Sequence, residues 1–393
     1  MDPDKSLAVV ANFIASMLLG VIALNLRQAY RPIFLAGLIY FGSLSLRHVS
    51  DAPFGVWGRQ VFATFTIIYM SHMSCVLCIE KYTLPKRPGV TLDWVGGYNM
   101  LFNARWIGTY RQTPDIKTVA SSEKAPQAKS KDSSGRLVAI LFSPRAIFLR
   151  NRALSIAGTL VAEQLFRYCY VDLPSHYNAE LDETDFLPIH ESYFRRLGEV
   201  TLRETAIRAW LVVFYIFYSV FLFKAVHDAL ALFFVGVRIN NPEDWPPLFG
   251  DIREATSLRN FWGKFSHKLV YRSFTAYGIW ISKNILRFPR TSFVGKLFIN
   301  CFVFAMSGTI HAVALYQLGY TCGVWQELQF YMLHFLGTVL ELVVTTVFSK
   351  LMGGQRLNFI VRKILGYAWV FMFLFTILPK SQYPRVFCAP DLS

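Results

Sequence analysis

The chain has 393 residues, of which 54% are hydrophobic and only 17% charged, with a mean hydropathy of +0.36. That balance excludes an ordinary soluble globule and reads as a polytopic membrane protein. The net charge of +15 does not point to nucleic acid, because Lys and Arg are scattered between apolar runs and no RNA- or DNA-binding motif is present; anionic lipid headgroups are the fitting partner for the excess.

A first span is expected from Leu7 to Leu26, as a retained helix, because its apolar run shows no small-residue cleavage site and further spans follow. Shorter and longer spans follow at Pro32 to Leu46 and Val61 to Ile79, so residues 1–80 form an N-terminal set of transmembrane helices. Residues 81–152 are a cytoplasmic or interfacial connection. Its part at 117–137 is a flexible insertion, rich in Ser and Lys and too poor in apolar side chains to order itself. The stretch FNARWIGTY, Phe102 to Tyr110, is basic and aromatic and suits the membrane surface.

Residues 153–393 carry the remaining spans. Ala153 to Val171 is interrupted by Glu163, Gln164 and Arg167, which face the bundle interior, and the charged loop 172–204 has no chemical signature. Ala206 to Val237 is broken by Lys224, His227 and Asp228 and is expected to be a span plus a half-helix. Spans near Phe274 to Ile285, Val294 to Leu318, Gln326 to Phe348 and Val361 to Leu378 complete the set. The architecture expected is an all-α polytopic transmembrane bundle of about 8–9 spans, each of roughly 20 residues where straight. The positive-inside rule places 80–152 in the cytoplasm, yet counting spans from there puts the basic loops 286–290 and 349–363 on the far side, against the same rule.

Between the spans lies a polar, proline-broken segment, Asn241 to Arg272. Pro242, Pro246 and Pro247 make 240–250 an irregular entry, held by Trp245, Leu248 and Phe249. From Ser257 the spacing predicts an amphipathic helix. Leu258, Phe261, Trp262, Phe265 and Leu269 lie on one face, with Asn260, Lys264, His267 and Tyr271 on the other. In the span after it Asn300, Ser307 and His311 recur at helical spacing on one stripe, beside Gly308, which permits close approach of another chain or a ligand. An intramembrane histidine is a functional candidate by default.

These runs, PEDWPPLFG, SLRNFWGKFSH and SGTIH in that order, resemble the wax-synthase branch of the membrane-bound O-acyltransferase superfamily. FNARWIGTY resembles an element of its fungal members, many of which acetylate terpenoid and meroterpenoid alcohols. Two positions depart from the pattern: Asn260 stands where the family has Asp, and Ser266 where it has Trp. The resemblance implies a bundle around an intramembrane cavity in the endoplasmic reticulum, with 153–393 as the catalytic region. It implies acyl transfer from acetyl-CoA, as co-substrate and not a bound cofactor, to a lipophilic alcohol. His311 then acts as general base, His267 and Asn260 orient the thioester or stabilise its oxyanion, and Lys264, Lys268 and Arg272 take the CoA phosphates. A long-chain wax or sterol ester synthase shares the motifs, and a transporter or lipid-handling protein on the same scaffold has no need of the two histidines.

The other chemistry-bearing residues read as structural. Six cysteines, Cys75, Cys78, Cys169, Cys301, Cys322 and Cys388, do not suggest a disulfide framework, and Cys75 with Cys78 reads as small buried hydrophobes. His72 lacks partners for a metal, and the pairs His227 with Asp228 and His334 with Glu341 are of low specificity.

Overall fold

The computed structural model describes residues 3–85, 88–114, 143–169, 181–289, 291–351, 353 and 358–388. Among them every regular element is helical. The insertion expected at 117–137 lies outside the described residues. The long helices are α1 (Pro3–Asn25), α2 (Arg31–Arg47), α3 (Val56–Ser74), α4 (Trp94–Leu101) and α5 (Pro144–Arg167). They continue with α6 (Leu202–Gly236), α7 (Tyr271–Asn284), α8 (Phe293–Gln317), α9 (Val324–Leu351) and α10 (Phe359–Cys388).

Six described helices are long and apolar enough to cross a bilayer: α1, α3 with its π-helical extension to Ile79, α6, α8, α9 and α10. Three elements expected as spans fall outside that group. α2 has 17 residues and α7 has 14, and α5 opens with Arg145, Arg150 and Arg152.

The chain divides into two compact units. The first comprises Met1–Thr113, Phe186–Gly198 and Lys268–Ser393. Its N-terminal core joins α1, α2, α3 and α4 through Leu24, Leu38, Tyr69, Met73, Leu101 and the fully buried Trp106. The FNARWIGTY stretch is buried in its middle and exposed at Tyr110, its end. Arg105 and Trp106 are buried, and Asn103 folds the chain over by exchanging hydrogen bonds with the Ile107 backbone at 2.7 and 2.8 Å. A second core packs α3 on α8 through Ala63, Ile68, Ile310 and Ala314.

α8 and α9 cross so closely that a Cβ on Gly308 would lie 2.8 Å from the Leu328 Cα, which realises the close approach read from that glycine. α10 runs on to Cys388 through Pro379 and Pro384, ten residues past the expected end at Leu378 (388 minus 378). There Cys388 is bonded to Cys322, in the loop between α8 and α9, so the cysteines do include one disulfide that their spacing did not suggest.

The second unit comprises Pro114–Asp185 and Glu199–His267. α5 and α6 lie antiparallel, with Phe148 on Ala231 and Val235 at one end and Phe166 stacked on Phe217, centroids 4.3 Å apart, at the other. α6 is one unbroken helix of 35 residues and not a span plus a half-helix. Neither Pro nor Gly interrupts it before Gly236, and Lys224 and Asp228 pair with each other one turn apart, so their charges do not end it.

Candidate active site

The proline-broken entry is irregular as expected. Pro242–Asp244 form a 3-10 turn in which Asn241 and Asp244 cap each other. The following loop is pinned to the segment after it: the Gly250 N–H donates to the Phe265 carbonyl at 2.9 Å, and a side chain at Gly250 would collide with the Lys264 carbonyl.

The amphipathic helix expected from Ser257 to Tyr271 is not one helix. It is a single turn, Leu258–Asn260, capped by the Ser257 hydroxyl, then a π-helical turn Phe261–Phe265, an extended Ser266, and a new helix from Tyr271. The wider π turn changes the angular phase, so the two faces read from a constant 3.6-residue period do not persist. Within this unit His267 is half-buried, with its ring 5.1 Å from Phe223 and 5.8 Å from Phe249. Asn260 donates its backbone N–H to Ser257 Oγ at 3.0 Å, and Lys264 is exposed and paired with Glu254 at 3.1 Å.

In the first unit His311 sits on α8 between Ile310 and Ala312, both buried. Its ring stacks on Tyr331 of α9, centroids 5.1 Å apart and planes 14° from parallel. The charges that act on it are Glu327, one turn before Tyr331, and Arg385 of α10. Those two form an ion pair, and Ser381 donates to the same carboxylate at 2.6 Å. The ring is thus held flat against an aromatic side chain of the neighbouring helix. The polar stripe read along α8 narrows to this end. Asn300 is exposed and bonds its own helix at Lys296, and Ser307 bonds back to Val303.

Of the basic residues assigned by resemblance to phosphate, Arg272 donates to Glu80 at 2.7 Å and lies over the Trp106 ring, and Lys268 is half-buried. His72 is a core residue, bonded to the Met100 carbonyl at 2.9 Å. His334 bonds the Phe330 carbonyl of its own helix, and Glu341 accepts from Trp369. Sequence reasoning missed Glu327, Tyr331, Ser381 and Arg385. The signal available was Glu327, a carboxylate near the start of a spanning helix.

Residues 245–337, which contain both histidines, match the membrane bound O-acyl transferase family. The chain is 29% identical over 187 residues to the acetyltransferase atnC of Arthrinium sp, covering 47% of this chain and 43% of that one. To the acetyltransferase nanB of Aspergillus nanangensis it is 28% identical over 290 residues, 72% and 66% of the two chains. To the acetyltransferase aurG of Calcarisporium arbuscula it is 24% identical over 400 residues, 96% and 92%. The chain thus spans about half to two thirds of the first two relatives, 43% and 66%, and nearly all of the third. No solved structure matches. With the family match falling on the segment that holds the two histidines, the chain is similar to membrane bound O-acyl transferases there and to fungal acetyltransferases over longer stretches.

Proposed function

We propose that the chain is an O-acyltransferase that moves an acetyl group from acetyl-CoA to a hydroxyl of a lipophilic terpenoid or meroterpenoid. The observation that carries this reading is His311, held against Tyr331 in a spanning helix within the family-matched stretch. The relatives, named as acetyltransferases, supply the acyl group. In the reaction His311 accepts the hydroxyl proton as the alcohol oxygen attacks the thioester carbonyl. The tetrahedral adduct collapses with loss of CoA thiolate, and the thiolate takes up the proton from the imidazolium. A positioned base of this kind contributes about 10² to 10⁴ in rate.

His267 and Asn260 are assigned to the thioester carbonyl and its developing oxyanion. Lys264, Lys268 and Arg272 are assigned to the CoA phosphates, the last while sharing its charge with Glu80. Two or three of α2, α5 and α7 are assigned as further spans beside the six long apolar helices, eight to nine in all, in the endoplasmic reticulum, with 153–393 as the catalytic region.

The test is an assay of microsomes carrying the wild type or His311→Ala, given radiolabelled acetyl-CoA or palmitoyl-CoA with a panel of terpenoid and long-chain alcohols. The expected result is acetyl label in a terpenoid ester, absent from the variant. Label from palmitoyl-CoA alone moves the protein to wax or sterol ester synthesis, and undiminished turnover by His311→Ala removes the general base.

A further inference from the structure

The second unit holds a cavity of about 660 Å³ that the acyl-transfer reading does not use. Its volume lies within the roughly 300–1,000 Å³ range of small-molecule sites. Its walls come from α5, α6 and the loop after the prolines, and they are chiefly Phe217, Val220, Phe221, Leu248, Phe249 and Phe265. One end is charged. Asp228, only 1% exposed, accepts from Arg152 and from Ser155 at 2.7 Å, and from Lys224 at 2.6 Å; Lys224 also donates to Ser155. His227 Nδ1 lies 3.5 Å from the same carboxylate. Arg152 is further committed to the Trp245 carbonyl at 2.6 Å and to the Phe148 ring face. Lys224, by contrast, keeps 40% of its side chain exposed.

The balance of this cluster is the informative part. Arg152 and Lys224 bring two positive charges against the single negative charge of Asp228, and Asp251, the other carboxylate lining the cavity, is matched by Arg253 at 2.6 Å. One positive charge is left over, on the more accessible cation, at the end of an apolar chamber formed partly by a spanning helix. A surplus charge at such a position is costly unless a counter-charge meets it. We infer that this cavity binds an amphipathic anion, a lipophilic molecule whose hydrocarbon body lies along the phenylalanines and whose single carboxylate or phosphate oxygen group meets Lys224. The charged cluster that carries the inference, Arg152, Ser155, Lys224 and Asp228, has no role in the acyl-transfer assignment, although Phe249 in the chamber wall also packs on His267.

The experiment uses the full chain purified in dodecyl maltoside and measures binding of radiolabelled oleate by scintillation proximity. Oleate is expected to bind saturably and to be displaced by oleyl phosphate, while methyl oleate and oleyl alcohol compete about ten-fold or more weakly, the worth of one hydrogen bond to a charged group. Lys224→Met is expected to weaken oleate about ten-fold or more and leave competition by methyl oleate unchanged, whereas Lys224→Arg keeps oleate binding. Displacement by dioleoylphosphatidic acid in mixed micelles assigns the anion to a bilayer phospholipid, and failure to displace assigns it to a free single-chain anion. Equal competition by the neutral and anionic compounds on the wild type overturns the inference without recourse to any variant. So does oleate binding that is unaltered in Lys224→Met, or lost equally in Lys224→Arg.

Discussion

Arg272 donates to the Glu80 carboxylate at 2.7 Å across 192 positions of sequence, and Arg111 donates to the same group from a third part of the chain. Glu80 is 16% exposed, so removal of its charge takes from two cations over the Trp106 ring the carboxylate they share. Glu80→Gln is expected to destabilise the protein by about 1–3 kcal/mol, with Arg272→Gln costing a similar amount. The double variant is expected to cost less than the sum, and thermal unfolding in detergent reads the coupling. Strict additivity would mean that the pair is not coupled in the folded protein.

Gly250 has the opposite character, because its contact is steric. A Cβ there meets the Lys264 carbonyl, part of the backbone, which cannot swing aside as a side chain does. Gly250→Ala is expected to destabilise the protein by about 1–3 kcal/mol and to lower turnover with it. Gly263→Ala, where a Cβ has open space, is the control and should leave both unchanged. Equal unfolding temperatures for the two variants would contradict the pinning of the loop.

The stack of His311 on Tyr331 gives a prediction about positioning. Tyr331→Phe keeps the ring and is expected to hold kcat within about two-fold, while Tyr331→Ala frees the imidazole and lowers kcat by about 10²-fold, a loss typical of a displaced catalytic group. The KM for acetyl-CoA should stay close to wild type in both. A rise in KM with constant kcat would show that the tyrosine binds substrate instead of holding the histidine.

Parts of this site were legible and parts were not, for identifiable reasons. Gly308 and His311 lie on a regular α-helix, so the close approach at Gly308 could be read from the sequence. The same arithmetic failed from Ser257 to Tyr271, because the π turn at Phe261–Phe265 and the extended Ser266 reset the phase in the middle of the pattern. Lys224 with Asp228 could be read as a helix pair. Arg152 could not join it from sequence, since it is brought there by the antiparallel packing of α5 on α6 across 76 positions. The length of α6 was legible in principle from its lack of Pro and Gly, and the charged residues within it obscured that.

The disulfide lends itself to a direct chemical check. Cys322 and Cys388 are 66 positions apart, and opening a loop of that order costs about 2–4 kcal/mol. Cys322→Ser and Cys388→Ser are each expected to lower the unfolding temperature, and the double variant to match either single one. In the wild type both thiols should accept a polyethylene-glycol maleimide only after reduction and unfolding. Labelling of either thiol in the unfolded, unreduced protein would refute the bond.

That bond also gives the membrane helices a sidedness. Disulfides persist in oxidising compartments and are rare where glutathione keeps thiols reduced, so the α8–α9 loop and the end of α10 face a lumen or the exterior. The opposite ends of α8, α9 and α10 then face the cytosol. There the chain has Arg287 before α8, Lys350 at the end of α9, and Arg362 and Lys363 at the start of α10, as the positive-inside rule requires. Span counting from a cytoplasmic 80–152 connection sets these loops on the opposite face. His311 stands six positions before the last residue of α8 (317 minus 311), about 9 Å along the axis from its oxidising end at 1.5 Å per residue. His311 thereby lies closer to the lumenal mouth than to the cytosolic one, so on the proposed reading an acceptor hydroxyl has the shorter path from the lumenal leaflet and a cytosolic acetyl-CoA has most of the length of α8 to cover.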